Sequence, residues 1–137
     1  MHHIIYLSWA TAPFTNAQLQ SLLALARRRN AELAVTGILL YGNERFVQVL
    51  EGEQEVVKEL YAHIRQDARH DNFITFADKP ILQRSFKDWA MAFQPVAAQQ
   101  FDGVVGYLGS PIAPLHVAAL SYYDSRLFDL LRSFVQP

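Results

Sequence analysis

The chain has 137 residues, of which 51% are hydrophobic, and this length suits one compact unit with a substantial core. Twelve Lys and Arg against thirteen Asp and Glu leave a formal net charge of -1, which argues against nucleic acid or a membrane surface as a partner. No apolar run approaches the ~20 residues that cross a bilayer, and the absence of cysteine excludes disulfides and Cys-based metal clusters and favours a reducing, cytoplasmic compartment.

The first third of the chain predicts a strand followed by a helix. Residues 2–8 form a short β-branched and aromatic run, which is typical of a strand. Thr15 and Gln18 have the spacing of a capping box, so a helix is expected to begin there and to end near Asn30. Three consecutive arginines, 27–29, fall in its last turn, where the helix dipole favours positive charge.

The middle of the chain predicts a hairpin. Residues 34–42 and 45–52 are two apolar runs, and Gly42, Asn43 and Glu44 join them with a sequence typical of a tight turn. The two strands should therefore be antiparallel neighbours.

A second helix and two further strands are predicted after the hairpin. Acidic residues open the helix, and an apolar stripe follows at helical spacing: Val56, Val57, Leu60 and Ile64. The helix is expected to close around residues 65–72, with Arg69 and His70 at its end, where both would stabilise the dipole. Residues 73–79 and 89–93 are then strand candidates.

This order predicts an α+β fold, a ferredoxin-like βαββαβ sandwich with an additional strand. Both helices must then cover one face of the sheet, and the opposite face carries Ile5, Leu7, Val47 and Val49. Something must cover these apolar side chains, and an amphipathic C-terminal helix is available at residues 114–137. Its stripe is Leu120, Tyr123, Leu127, Leu130 and Phe134. We therefore expect a domain at 2–95 and a helical extension at 96–137 that packs on the sheet or in an oligomer interface.

Gln48 is the unexpected residue of the predicted core. It lies in the middle of an apolar strand, and Phe46 and Leu50 share its face by the period of two. If Tyr6 of the first strand points to the same side, a phenol and an amide meet inside the protein. An unpartnered buried amide costs ~1–3 kcal/mol, so a partner is required. Two interpretations remain open: a satisfied core pair, or a polar ligand between the helices.

The other polar features have structural explanations when each is taken alone. Asn30 suits a helix C-cap, and Arg69 with His70 suits a helix end. Trp89 and Met91 lie two apart, so they face the same way on the last strand and could simply fill the core.

Taken together, these residues resemble a known family. Tyr6 in "IIYLSWA", Asn30 before "TGILLYG", "FVQVLEG" at 46–52, "DARH" at 67–70 and "RSFKDWAMAF" at 84–93 are similar to the motifs of the BLUF domain. The resemblance covers about residues 2 to 95 in order and without an internal gap. It implies a ferredoxin-like domain that binds FAD between its two helices.

The resemblance also implies roles for single residues. Gln48 would bond both the flavin and the Tyr6 hydroxyl, and Asn30 would bond the O4 and N3 edge of the ring. Arg29 would contact the flavin O2 or lie in solvent, since the family varies there. The remaining implied contacts are Leu39, Phe46 and Ile64 against the ring, with Arg69 and His70 near the ribityl chain and phosphate.

What the resemblance implies about function is a blue-light photoreceptor and not an enzyme. Light would drive electron and proton transfer from Tyr6, and rearrangement of the hydrogen bonds of Gln48 would give a reversible red-shifted state. Trp89 and Met91 would report this state to the C-terminal helices and a separate effector or regulator protein, with a homo-oligomer expected. Trp9 departs from the family pattern and offers either a competing electron donor or a surface contact.

Two alternatives come from other functional classes. One is a small flavin-dependent oxidoreductase on the same fold, which would need a substrate cavity at the edge that Tyr6 and Gln48 occupy. The other is a dimeric interaction module without a cofactor.

Overall fold

The helices and strands follow one another in the order that the periodicity predicts. The computed structural model of the chain describes residues 1–86, 91–95, 97, 99–100 and 102–103. Its elements are β1 (His2–Ala10), α1 (Asn16–Glu32), β2 (Thr36–Gly42), β3 (Arg45–Gly52), α2 (Gln54–Ile64), β4 (His70–Pro80) and β5 (Ala92–Pro95). Trp89 and the predicted helical stripe between residues 120 and 134 lie outside the described residues.

The strands form a sheet in the order β4-β1-β3-β2-β5. The first four are antiparallel to their neighbours, as the ferredoxin-like prediction requires, and β5 adds to the outer edge of β2 in the parallel direction. The α+β class with an additional strand is therefore confirmed. Strands β1 and β3 are central neighbours, and their register sets Tyr6 opposite Gln48.

The two faces of the sheet have different partners. Both helices pack on the face that carries Tyr6, where they form one buried cluster with the sheet. Its members include Ile4, Tyr6, Leu39, Phe46 and Leu50 from the strands, Leu19 and Leu23 from α1, and Val57, Leu60, Tyr61 and Ile64 from α2. The opposite face is also buried, with at most 2% exposure at Ile5, Leu7, Ile38, Leu40, Val47 and Val49. The sheet is therefore apolar on both sides, and its polar core residues stand out.

Local sequence explains where α1 begins and how the hairpin turns. The capping box is present, with Thr15 accepting from the Gln18 backbone N–H and the Gln18 side chain accepting from the Thr15 N–H. In the hairpin, Asn43 and Glu44 have φ values of 50° and 60°, the left-handed conformation that a two-residue turn needs. Helix α1 ends at Glu32, slightly beyond the predicted end.

The last strand begins later than predicted. It was expected at residues 89–93, but β5 spans Ala92–Pro95, so Met91 lies just before the strand and not on it.

The predicted end of the second helix is also wrong. Arg69 and His70 do not close the second helix, because α2 ends at Ile64 and His70 is already the first residue of β4. The Asp67 carboxylate accepts the backbone N–H of Arg69 at 2.9 Å, which forms a local turn that competes with the helix. The turn brings the chain back to the sheet earlier than the predicted strand start at residue 73.

A glycine allows β2 to lie close to β3. A β-carbon on Gly37 would lie 1.8 Å from the carbonyl oxygen of Val49, so any side chain there would collide with the neighbouring backbone. This close approach keeps Leu39 opposite Gln48. Within the described residues, no helix combines the length and apolar character needed to cross a membrane.

Candidate functional site

Tyr6 and Gln48 form a buried pair on the helix-covered face. The Tyr6 hydroxyl donates a hydrogen bond to Oε1 of Gln48, and the two side chains are 1% and 4% exposed. This contact follows from the β1 and β3 register, which sets the two residues opposite each other. The phenol and amide that the sequence placed in the core therefore satisfy each other.

The other end of the Gln48 amide faces Met91. Nε2 of Gln48 donates to the Met91 sulfur at 3.5 Å, and Met91 is 2% exposed. A thioether is a weak acceptor, so this bond is easily exchanged for another. Within the described residues the amide keeps a second N–H and a second carbonyl lone pair. It can therefore serve a further polar partner without breaking either contact.

The phenol of Tyr6 stays neutral. Burial is the main reason that its pKa is raised far above 10, and the neighbouring Tyr61 hydroxyl contributes in the same direction. The two rings stack with centroids 4.9 Å apart and an angle of 30°. The Tyr61 hydroxyl is itself fixed by Thr75, whose Oγ1 lies 2.6 Å away. A neutral phenol bonded to an amide oxygen loses its proton only if an electron leaves as well.

A cleft between the two helices opens onto this pair. The cleft has a volume of about 50 Å³, and its walls bring together most of the residues that the sequence proposed for a ligand. The lining consists of Tyr6, Leu22, Ala26, Arg29, Leu39, Phe46, Gln48, Ile64 and His70. A cleft with apolar walls and a few convergent polar groups is typical of a site for a flat aromatic cofactor.

Arg29 offers the cleft a donor. Its Nε atom is buried and has no hydrogen-bond partner within the described part of the chain. Burial lowers the pKa of its guanidinium, which means that the charge is poorly solvated where it lies. A polar group in the cleft would satisfy this atom.

Asn30 is fully buried at the inner end of α1, beside Arg29. Its backbone carbonyl accepts the Val35 N–H at 2.8 Å, which shapes the turn into β2. The side chain is not among those that line the cleft, so the structure places Asn30 next to the site and not on its surface.

His70 forms the far wall of the cleft. Its Nδ1 lies 2.9 Å from the Ser8 hydroxyl, and its ring packs edge-on against Phe46 and Phe73 with centroids 5.7 Å and 4.6 Å away. Burial is the main reason that the His70 pKa is lowered, so the imidazole is neutral at pH 7.

Arg69 points into a second and larger cleft at the start of α1. This cleft has a volume of about 370 Å³ and is lined by residues 11–14, Ala17, Gln18, Ser21 and Arg69. The Arg69 guanidinium bonds both oxygens of Asp67, with Nε 3.0 Å from each, and this bond lowers the pKa of Asp67 to about 2. The two clefts are neighbours, because the Phe14 ring of the larger one meets the Phe46 ring of the smaller one at 5.2 Å.

The structure adds residues that the sequence reasoning did not assign to the site. Leu22 and Ala26 line the cleft together with Arg29, and their i, i+4, i+7 spacing could have indicated a cleft-facing side of α1. No sequence pattern indicated that Tyr61 or Ser8 would lie at the site. Trp9 lies on the opposite face of the sheet from Tyr6, because residues three apart in a strand point to opposite sides.

Comparisons with known proteins agree with this geometry. The family model described as "BLUF: Sensors of blue-light using FAD" matches residues 1–92. The chain is 42% identical over 89 residues to a photoactivated adenylate cyclase subunit beta of Euglena longa, which covers 64% of this chain and 10% of the relative. It is 44% identical over 119 residues to a blue light- and temperature-regulated antirepressor of Escherichia coli (strain K12), which covers 86% of this chain and 28% of the relative.

A solved structure matches the fold over nearly its whole length. BlrB, a BLUF protein in its dark state, superimposes with a TM-score of 0.68 at 30% identity, covering 91% of this chain and 95% of that chain.

The cyclase relatives are much longer than this chain, which spans about a tenth of the length of the first two that it matches.

Proposed function

The chain belongs to the BLUF family of flavin-binding blue-light sensors, and from this premise we propose that it binds FAD between α1 and α2 and switches through Tyr6, Gln48 and Met91. A BLUF domain is a photoreceptor and not an enzyme, so the question is how this chain changes state. The observation that carries the proposal is the Gln48 amide, which bonds a phenol on one side and a thioether on the other at the mouth of the cleft.

The residues present fit an isoalloxazine ring. Leu22, Leu39 and Ile64 supply apolar surfaces for its faces. Within the described residues, Gln48 keeps one N–H for an acceptor on the ring edge, and the Nε of Arg29, which has no partner there, suits a carbonyl oxygen. Asn30 is proposed as the second amide at that edge, supported by its full burial beside Arg29.

FAD is proposed over a shorter flavin because of the second cleft. Arg69 lies there next to His70, where the first cleft ends, and Asp67 fixes its guanidinium. Arg is well suited to an anionic phosphate oxygen, so the diphosphate is proposed at Arg69 and the ribityl chain beside His70.

The mechanism is a hydrogen-bond exchange at Gln48. When bound, the flavin would supply a blue-light-excited oxidant that takes up an electron and a proton and later returns both. Tyr6 would be the electron donor, and its hydroxyl proton would move along the bond to Oε1 of Gln48. With both returned to Tyr6, the Gln48 amide would be left rotated or tautomerised. Nothing is consumed, so the cycle is reversible.

The changed amide alters its contact with Met91. In the dark arrangement Met91 accepts an N–H from Nε2. A rotated amide presents an oxygen to the sulfur, which has no proton to donate, and a tautomer has one N–H fewer. Rotation therefore removes the dark contact, and tautomerisation leaves a single N–H that must serve either Met91 or another acceptor. Met91 directly precedes β5, the edge strand. We propose that β5 passes the change onward, with Trp89 as its second reporter.

The output is proposed to reach an effector or regulator protein. Relatives of the chain include a photoactivated cyclase subunit and a light-regulated antirepressor, which supports such a partner without naming it. We propose that the flavin-binding domain ends at residue 95 and the C-terminal extension begins at residue 96, because the family match ends at 92 and β5 ends at Pro95. We also propose that the chain self-associates and that it acts in the cytoplasm. Light scattering in darkness and under blue light measures the self-association.

An absorption spectrum tests the proposal. The flavin-loaded protein should shift to the red in blue light and return in darkness. Gln48→Leu should keep the flavin and lose the shift, whereas Gln20→Leu, at an exposed position on α1, should behave like the wild type. A normal shift in Gln48→Leu would contradict the mechanism, bleaching would indicate an oxidoreductase, and a colourless protein would indicate an interaction module.

A further inference from the structure

Arg27 connects α1 to the segment that carries Met91. Its Nε donates to the backbone carbonyl of Met91 at 3.0 Å, across 64 positions of sequence. The guanidinium is an exposed group on the helix, whereas Met91 is 2% exposed. The bond therefore reaches from the surface of α1 to a buried residue at the start of β5.

Met91 is thus fixed at two points. Gln48 contacts its sulfur, and Arg27 bonds its carbonyl. Among the described strands, β5 pairs with β2, along four residues from Ile38 to Tyr41. A parallel pairing of four residues is a weak attachment, so the two contacts of Met91 add to what holds this segment in place.

The same helix also borders the cleft. Ala26 and Arg29, one residue before and two residues after Arg27, line the space beside Gln48. Helix α1 therefore touches the proposed cofactor site and the backbone of Met91 at the same turn.

We propose that Arg27 is a positioning residue of the switch, which keeps the Met91 backbone where its sulfur can accept from Gln48 in the dark. This rests on the proposed function. Return from the lit state must rebuild the contact between Gln48 and Met91, and an anchored backbone presents the sulfur ready for it. Without the anchor, Met91 must be ordered again in each cycle, so recovery becomes slower.

Dark-recovery kinetics after a blue-light pulse test the role. Arg27→Ala should slow recovery by about fivefold, which is the size expected from losing one charge-assisted bond at a partly exposed position. Arg27→Lys should restore part of the rate because it keeps a donor. Arg28→Ala removes the same charge from the next, exposed position and should recover at the wild-type rate. Equal slowing in both alanine variants would overturn the proposal.

An infrared measurement tests the bond itself. The chain has only two methionines, Met1 and Met91, so a carbonyl ¹³C label on methionine marks two sites. The Met1 carbonyl accepts the Ile81 N–H beside the start of β1 and serves as the internal reference. We expect the Met91 band to keep its frequency when the wild-type protein is illuminated, and to move to higher frequency in Arg27→Ala, where the bond is absent.

The outcomes separate this inference from the proposed function. A wild-type protein with a normal red shift whose labelled Met91 band lies at the same frequency in Arg27→Ala would refute the role of Arg27 and leave the photoreceptor intact. A protein without any red shift would refute the proposed function instead. If Arg27→Ala does not fold, the recovery rate and the labelled Met91 band of Arg27→Gln decide in its place.

Discussion

The buried bond between Tyr6 and Gln48 predicts non-additive effects when Tyr6→Phe and Gln48→Leu are combined. Tyr6→Phe leaves Oε1 of Gln48 without its donor, and Gln48→Leu leaves the phenol without its acceptor. Both groups are almost fully buried, so each single change costs ~1–3 kcal/mol of the free energy of unfolding. The double variant places apolar groups of similar shape on both sides, so it should cost no more than the larger single change.

The coupling energy from this cycle should therefore be about 1–2 kcal/mol. Denaturant unfolding of the flavin-loaded proteins in darkness, at one saturating flavin concentration, measures it. A parallel cycle of Tyr6→Phe with the exposed Gln20→Leu is the control and should be additive within about 0.5 kcal/mol. In thermal scans, a change of 1 kcal/mol in the free energy of unfolding shifts Tm by roughly 3–5 °C for a domain of this size.

Additive costs for Tyr6 and Gln48 would refute the reasoning, because they would show that the two groups do not depend on each other. The spectra of the same variants give a second reading. Both single variants should lose the reversible red shift while they keep the flavin. A persistent photocycle in Tyr6→Phe would instead indicate Trp9 or Trp89 as the electron donor.

Two further predictions concern pH. Burial raises the pKa of Glu51 above 4.5, so between 4.5 and the raised value the folded state binds a proton that the unfolded state has lost. The free energy of unfolding therefore falls as pH rises through that window. Glu51→Gln should flatten this part of the pH profile of the unfolding free energy, and an unchanged profile would contradict the prediction. The Arg69 bond lowers the pKa of Asp67 to about 2, so its contribution is present above pH ~4 and lost as pH falls toward 2. Because the Arg69 side chain is 49% exposed, Asp67→Asn should lower the free energy of unfolding by only ~0.5–1 kcal/mol at pH 7, and not at all at pH 2. An equal loss at both pH values would refute the ion pair.

The contacts of the Glu51 carboxylate oppose the effect of burial on its pKa, and burial is the larger cause. Its carboxylate accepts the backbone N–H groups of Ser85 and Phe86 at 2.6 Å and 2.9 Å, and Arg84 bonds the Glu51 carbonyl at 3.0 Å. These contacts attach the loop after β4 to the central strand β3. Protonation of Glu51 would weaken that attachment, so the recovery kinetics of the photocycle should be recorded across the same pH range.

The sequence determined the elements, because their signals are local. The capping box at Thr15 began α1, the turn at Asn43 joined β2 to β3, and the apolar stripe that ends at Ile64 defined α2. The apolar pattern of residues 46–50 also identified Gln48 as the exceptional polar residue, because an amide inside an apolar strand can be recognised from the sequence. The family motifs then implied its role.

Only the tertiary structure decided which groups meet. The register of β1 against β3 is non-local, and a slip by one residue would turn Gln48 away from Tyr6. The turn at Asp67 separated Arg69 from the helix and placed it in the second cleft. Arg27 gave no sequence signal toward Met91, because a bond across 64 positions exists only when helix and strand are packed together. Periodicity assigns residues to a face, whereas packing assigns them their neighbours.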